Sequence, residues 1–348
     1  MSRNREGSDA APSRRDFLRL AAAAGLAGPF ALGCRGPGPR EEDAARGPPP
    51  EGAAPGPDHL ALGLVAMGVA HGGGWPSGHH GAAVLAGHFF CRDNGLGARA
   101  ERALRAQLDA YVARRPAEFP GPDPGPGSAD PALIAERLDR QIPMLRSGGH
   151  DAIFASLALR ALRERPDLAS PAVVDGVCRL LDAFAATARP ARPSRHHLEH
   201  PLRPYADADD LASVTLRATL RPWGHVMQVG ASGVLHWVTH AEALVTLEEL
   251  GHGEVARRGH DAHRLHINRP VEAGGAPEPD RAPVDWLGPD YWESDAPRRP
   301  LDGTWLFGHS FKLPYSLFRL LRRVDDPDLR RAALARAARL SIPFDRGA

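Results

Sequence analysis

Seventeen histidines and a single lysine are the residues of this chain best suited to do chemistry. Imidazole titrates near neutrality and is the commonest protein ligand of transition metals. His71, His79, His80 and His88 surround the loop Gly72-Gly73-Gly74-Trp75-Pro76, and His225, His236 and His240 lie in the segment Gly224–Leu250. His236 and His240 are one helical turn apart, so both share a face and could hold an iron or zinc ion, or exchange protons. A further group, His252, His260, His263 and His266, is interspersed with Arg257, Arg258 and Arg264, which points to a solvated outer face. Every other Lys/Arg position is arginine, so Lys312 stands out as a compact ammonium of tunable pKa, able to stabilise an anion. His309 and Ser316 share its helical face, unless Pro314 breaks the helix between them.

These residues divide by expected role. His236, His240, His309 and Lys312 are the catalytic candidates, His80, His150 and His225 the cofactor-binding ones, and His236 with His240 the metal-ligand pair. Glu242 lies off the histidine stripe, so the acidic partner of a helical zinc-protease motif is missing. His150-Asp151 resembles the signature of metal-dependent HD hydrolases, without the further histidine and aspartate that such a site needs. Gly-x-Ser-x-Gly, GxGxxG, P-loop and Cys-x-x-Cys-His motifs are all absent from the sequence.

The elements that must position these groups read as helices. Read as one helix, Gly224–Leu250 has an apolar sector with Val234, Trp237, Val238, Ala241, Leu244 and Val245. Its other sector, with His225, Gln228, Ser232, His236, Thr239 and His240, carries neither lysine nor arginine, as suits a helix lining an enclosed wet cavity. Helical periodicity also covers 78–92, 98–114, 131–146, 150–163, 171–186, 209–220, 254–266, 308–322 and 327–340, with Asp130, Ser170 and Asp326 placed to cap. Residues 270–304 form an irregular Pro/Trp/Asp-rich segment. The fold expected is all-α, an array or toroid of paired antiparallel helices around a central cavity.

The dipeptide Gly-His occurs at 78, 87, 149, 224, 251, 259 and 308, where chance would give about two such pairs. At 78, 149, 224 and 308 it opens an apolar helix that a more Arg/Ala/Leu-rich one follows. This reads as a degenerate repeat whose first helices run one way and gather their opening histidines at one rim.

The net charge of +1 and the lack of an Arg-rich stripe with aromatics exclude a nucleic-acid footprint. Cys91 and Cys178 sit in apolar helical patterns and read as buried thiols. Residues 13–19, Ser-Arg-Arg-Asp-Phe-Leu-Arg, precede a short Ala/Gly/Leu run and resemble a twin-arginine export signal through Arg14 and Arg15. Ala31-Leu32-Gly33-Cys34 resembles a bacterial lipobox, with Cys34 as the lipidated residue. The expected organisation is a signal peptide with lipobox over 1–33, a Pro/Gly-rich tether over 34–57 and one helical domain over 58–348. The resemblance implies engagement of the twin-arginine machinery, export to the periplasm and a lipid anchor in the membrane.

The histidine-opened, Ala/Leu-rich segment near 79–114, His236-Trp237-Val238-Thr239-His240-Ala241-Glu242-Ala243-Leu244 and the late Gly308-His309-Ser310-Phe311-Lys312-Leu313 together resemble the questin oxidase-like family. That resemblance implies an all-helical oxygenase without a nucleotide motif, here an exported oxidoreductase acting on a small apolar molecule in a histidine-lined cavity. Two alternatives stand beside it: a non-catalytic periplasmic lipoprotein that binds a ligand or partner, and a metal-dependent hydrolase or lyase.

The export reading has a direct check. Replacing Arg14 and Arg15 together by lysine is expected to leave precursor in the cytoplasm, and Cys34→Ala to release the domain from the membrane fraction. Fractionation in which the Cys34→Ala protein stays with the membrane would remove the lipid anchor and leave export standing.

Overall fold

The structure, a computed structural model, describes residues 57–221, 233–268, 284–295, 297 and 308–340. His225, Arg14, Arg15 and Cys34 lie outside the described residues. Among the described residues the chain is all-α, its β pairing limited to one isolated bridge between Arg146 and Pro190. The helices are α1 (His59–Val69), α2 (Gly78–Asp93), α3 (Ala98–Ala113), α4 (Ala132–Asp139), α5 (His150–Glu164), α6 (Pro171–Thr187) and α7 (Arg195–Glu199). They continue with α8 (Ala208–Thr219), α9 (Val234–Glu249), α10 (Gly253–Ile267), α11 (Pro289–Glu293), α12 (His309–Leu321) and α13 (Pro327–Leu340). No described helix is long and apolar enough to cross a membrane.

Local chemistry sets the helix starts. The Ser170 hydroxyl accepts from the Val173 amide at 3.2 Å, with Pro171 supplying a pre-set φ at the first helical position. Asp130 accepts from the Ala132 amide at 2.9 Å and Asp326 from that of Leu329 at 3.0 Å. The sequence led us to expect a helix over 131–146, but α4 stops at Asp139 and turns carry the chain to Gly149. Pro314 does not break α12, which runs unbroken through it. Cys91 and Cys178 are buried free thiols, as expected, and burial pushes the Cys91 thiol up to about 12.

Helix α1 escaped the periodicity search because it has no polar face. His59 through Gly68 are all buried, and such a helix belongs to the interior. It packs against α2 and α6. A Cβ on Gly176 would stand 2.0 Å from the Gly68 carbonyl oxygen, so these two backbones meet in near-direct contact.

Helices α2, α5, α9 and α12 form a closed cycle of neighbours: α2 packs on α5, α5 on α9, α9 on α12 and α12 on α2. Their first turns meet, since the rings of His79, His150, His236 and His309 lie side by side. Their last turns meet as well, through charged groups. Arg160 reaches Asp93 at 2.6 Å, Arg92 pairs with Glu164, Arg163 donates to the Glu249 carbonyl at 3.1 Å, and Arg319 pairs with Glu249. Arg322 closes the circuit on Asn94 at 2.9 Å. The four helices therefore run the same way.

Gly308 shows how tightly this cycle is drawn. It enters α12 with φ +64°, and a Cβ there would stand 2.2 Å from that of Ala83 in α2. Gly308→Ala is expected to cost about 1–3 kcal/mol in denaturant titration through overpacking, beyond the left-handed backbone penalty. Gly95→Ala isolates that penalty, because Gly95 has φ +55° and open space around it. The control is expected to lose only about 1–2 kcal/mol, and equal losses for the two would show that the α2–α12 contact does not limit stability.

Candidate functional site: a ring of buried imidazoles

The four helix starts present four imidazoles in a cycle. Ring centroids are 4.5 Å apart for His79 and His150, 4.7 Å for His150 and His236, 5.0 Å for His236 and His309, and 5.6 Å for His309 and His79. All four side chains are buried. Within this cycle His79, His150 and His309 each offer a nitrogen, and the three ligand atoms lie within 4.8 Å of one another.

Two of the rings have their orientation set by the backbone just before them. His79 donates Nδ1–H to the Pro76 carbonyl at 2.8 Å, and His150 donates Nδ1–H to the Ser147 carbonyl. A carbonyl only accepts, so in both rings Nδ1 carries the proton and Nε2 keeps its lone pair. Such a backbone-held ring is the usual environment of a metal-ligating histidine. The His150 Nε2 is buried and makes no hydrogen bond. Ser147 holds its carbonyl in place at φ +35°, a left-handed conformation unusual outside glycine, and Gly148 and Gly149 follow at +74° and +76°. Local strain of this kind is retained where the surroundings over-determine it.

Burial holds these imidazoles neutral. It lowers His79 and His309 well below the ordinary histidine value, with the Lys312 charge as the next cause, and lowers His150 likewise with His236 next. Burial also pushes the Lys312 amine well down. Three neutral imidazoles can accept a metal ion without first releasing a proton. A tetrahedral ion with nitrogens at its ordinary bond length needs them roughly 3.4 Å apart, so the rings would draw in around it. The donor set suits zinc or iron.

Trp75 covers this group from the glycine-rich loop. Its ring, partly exposed, lies 5.7 Å from His79, 5.3 Å from His150 and 5.1 Å from Phe184. Asp151 is buried beside His150 in sequence, with one oxygen on the Ala152 amide and the other without a partner, and burial pushes its carboxyl up to about 6. The metal-capable group contains no carboxylate, which argues against the HD reading.

The structure regroups several expected site residues. His309 and His150 do come together with His236, and Lys312 is buried one turn after His309. His80 turns aside and bonds the Tyr111 hydroxyl at 2.9 Å. His240 belongs to a second buried group: its ring lies 5.1 Å from His263 and 5.7 Å from His266. The two α9 histidines thus meet different rings, His236 those of His150 and His309, and His240 those of His263 and His266. The solvated face expected for His263 and His266 is corrected, since both are 0 % exposed. Helix α10 buries the face that carries Ala256, Gly259 and Ala262, and these histidines share it. His263 accepts from the Tyr205 hydroxyl at 2.8 Å and donates to the Trp237 carbonyl at 3.1 Å. Of the described polar groups of the α9 face, His236 and His240 meet other imidazole rings.

Sequence reasoning kept His79 out of the ligand set, although its place in a Gly-His pair opening a helix was the available signal. Comparison with protein-family models, curated proteins and solved structures finds no match to this chain.

The ring orientations can be checked in solution. Nitrogen-15 correlation spectra of the metal-free protein are expected to show His79 and His150 as Nδ1–H tautomers and His263 as Nε2–H. An Nε2–H tautomer at His79 or His150 would turn the protonated nitrogen toward the centre and remove the ligand assignment.

Proposed function

We propose that this chain is an exported, metal-dependent oxidoreductase whose metal is held by His79, His150 and His309, with His236 beside them. The observation that carries the reading is the convergence of three buried, neutral imidazoles within 4.8 Å, two of them anchored through Nδ1–H to backbone carbonyls. Three protein nitrogens leave coordination positions open, the mark of a catalytic rather than a closed structural site. Iron in such a place supplies one-electron and oxygen chemistry that zinc lacks. The redox class is supported by the motif resemblance to the questin oxidase-like family, and export through the twin-arginine route by residues 13–34. On this reading α2, α5, α9 and α12 are the inner helices of a toroid, with α3, α6, α10 and α13 behind them.

The chain's own residues have separable parts in it. The Pro76 and Ser147 carbonyls hold two rings in one tautomer, and His236 stands beside the centre as a group able to accept or return a proton. Trp75, Phe154 and Phe184 surround His79 and His150 with apolar rings that limit water.

Elemental analysis of protein exported by its native route is expected to find close to one iron or zinc per chain. His150→Gln and His309→Gln should each weaken metal binding by at least about tenfold, while His240→Gln retains it. Full metal retention in both His150→Gln and His309→Gln proteins would sink the assignment.

A further inference from the structure

We propose a second metal site, on the surface of the chain, where His196 and His200 chelate a late first-row divalent ion, copper(II) foremost. It stands apart from the buried imidazoles and does not depend on them.

The segment Ser194-Arg195-His196-His197-Leu198-Glu199-His200 brings three histidines close together, and the structure gives them different parts. His197 holds the segment in place. Its Nδ1 accepts from the Ser194 amide at 3.1 Å, and its Nε2 donates to the carbonyl of Leu265, in the last turn of α10, at 3.0 Å. A second tie lies at the other end of α7, where the Asn268 side-chain amide donates to the His200 carbonyl at 2.7 Å. The short helix is thereby fastened to the end of α10 on both sides.

His196 and His200 are left over from this fastening. The His200 amide donates to the His196 carbonyl at 2.9 Å, which closes the turn that sets one residue above the other. Their rings lie 5.1 Å apart, that of His196 partly exposed and that of His200 exposed. Among the described residues neither ring takes part in a hydrogen bond or an ion pair. Two such imidazoles four residues apart form a bidentate chelator open to solvent.

The donor set selects the ion. Glu199, the carboxylate next to His200, is bound by Arg195 at 2.6 Å, which leaves the two ring nitrogens as protein ligands. Calcium and magnesium require oxygen donors, whereas imidazole suits the late first-row metals, among which copper(II) binds most tightly. The surroundings favour a cation as well. Through His197 the site rests on the carbonyl end of α10, a fifteen-residue helix whose C-terminus carries partial negative charge. Water fills the remaining coordination positions, so the ion exchanges with solution.

The test adds substoichiometric copper(II) to the full, nitrogen-15-labelled chain. Among histidines in contact with solvent, the ring signals of His196 and His200 are expected to broaden first, ahead of His71, His252 and His260. By calorimetry His196→Gln and His200→Gln should each weaken this binding at least about tenfold, since a chelate loses its second arm. His150→Gln, which alters the buried group, should leave it unchanged. Copper affinity within twofold of wild type in either surface variant would overturn the proposal. So would His196 and His200 signals that stay sharp while the other exposed histidines broaden. The wild-type spectrum decides the matter alone if a variant does not fold.

Discussion

Four helices opening at one point impose the constraint from which most of this molecule follows. Each N-terminus carries roughly half a positive charge in its unsatisfied amides, so parallel neighbours repel at both ends. Cations and protonated imidazoles are disfavoured where the starts meet, and carboxylates where the ends meet. Side chains are sorted accordingly. Neutral histidines fill the first turns, while arginines crowd the last turns at Arg92, Arg160, Arg163, Arg319 and Arg322. Three carboxylates found there, Asp93, Glu164 and Glu249, are bound by those guanidiniums. Burial pushes Asp93 and Glu249 up, but Arg160 beside the first and Arg319 beside the second outweigh it and leave both below their ordinary values.

Between the two ends, one polar place in the core is densely bonded. Tyr315 donates to Glu242 at 2.8 Å and accepts from Arg160 at 2.9 Å, while Arg319 and Thr246 complete the carboxylate's partners. This buried carboxylate is paired with Arg319 and bonded by two hydroxyls. The separation of charge along the helices is thus locked in by hydrogen bonds at one level and by imidazoles at the other. Lysine tolerates the imidazole level because its amine can go neutral, which a guanidinium cannot do.

How much of this the sequence disclosed depends on the kind of signal each element carried. Amphipathic helices with a cap, such as α6 and α13, were legible nearly to the residue because periodicity and capping agree. The all-buried α1 was not, since periodicity vanishes when every face is covered. The Gly-His pairs were the strongest pointer to the site. Gly149 and Gly308 are both left-handed and pressed against a neighbour, so glycine is demanded there, and the histidine that follows opens the helix inward. The grouping of histidines into sets was harder to read. Adjacency in sequence made His79 and His80 look alike, yet successive residues in a helix diverge by about 100°. One ring joins the cycle and the other meets Tyr111.

His236 and His240 share a face of α9 and yet meet different rings. Four residues return a helix to the same face one turn further on, about 6 Å along its axis. His240 therefore faces the layer behind the site, and there it has a definite part. A Cβ on Gly149 would lie 2.4 Å from the His240 ring, so that ring rests directly on the backbone that introduces His150. His240 is in turn backed by His263 and His266, and His263 is fixed at both nitrogens by Tyr205 and the Trp237 carbonyl. Rigidity thus passes from α10 through His240 to the left-handed turn before His150. The second histidine group, which holds no position in the ligand set, thus backs the turn that introduces His150.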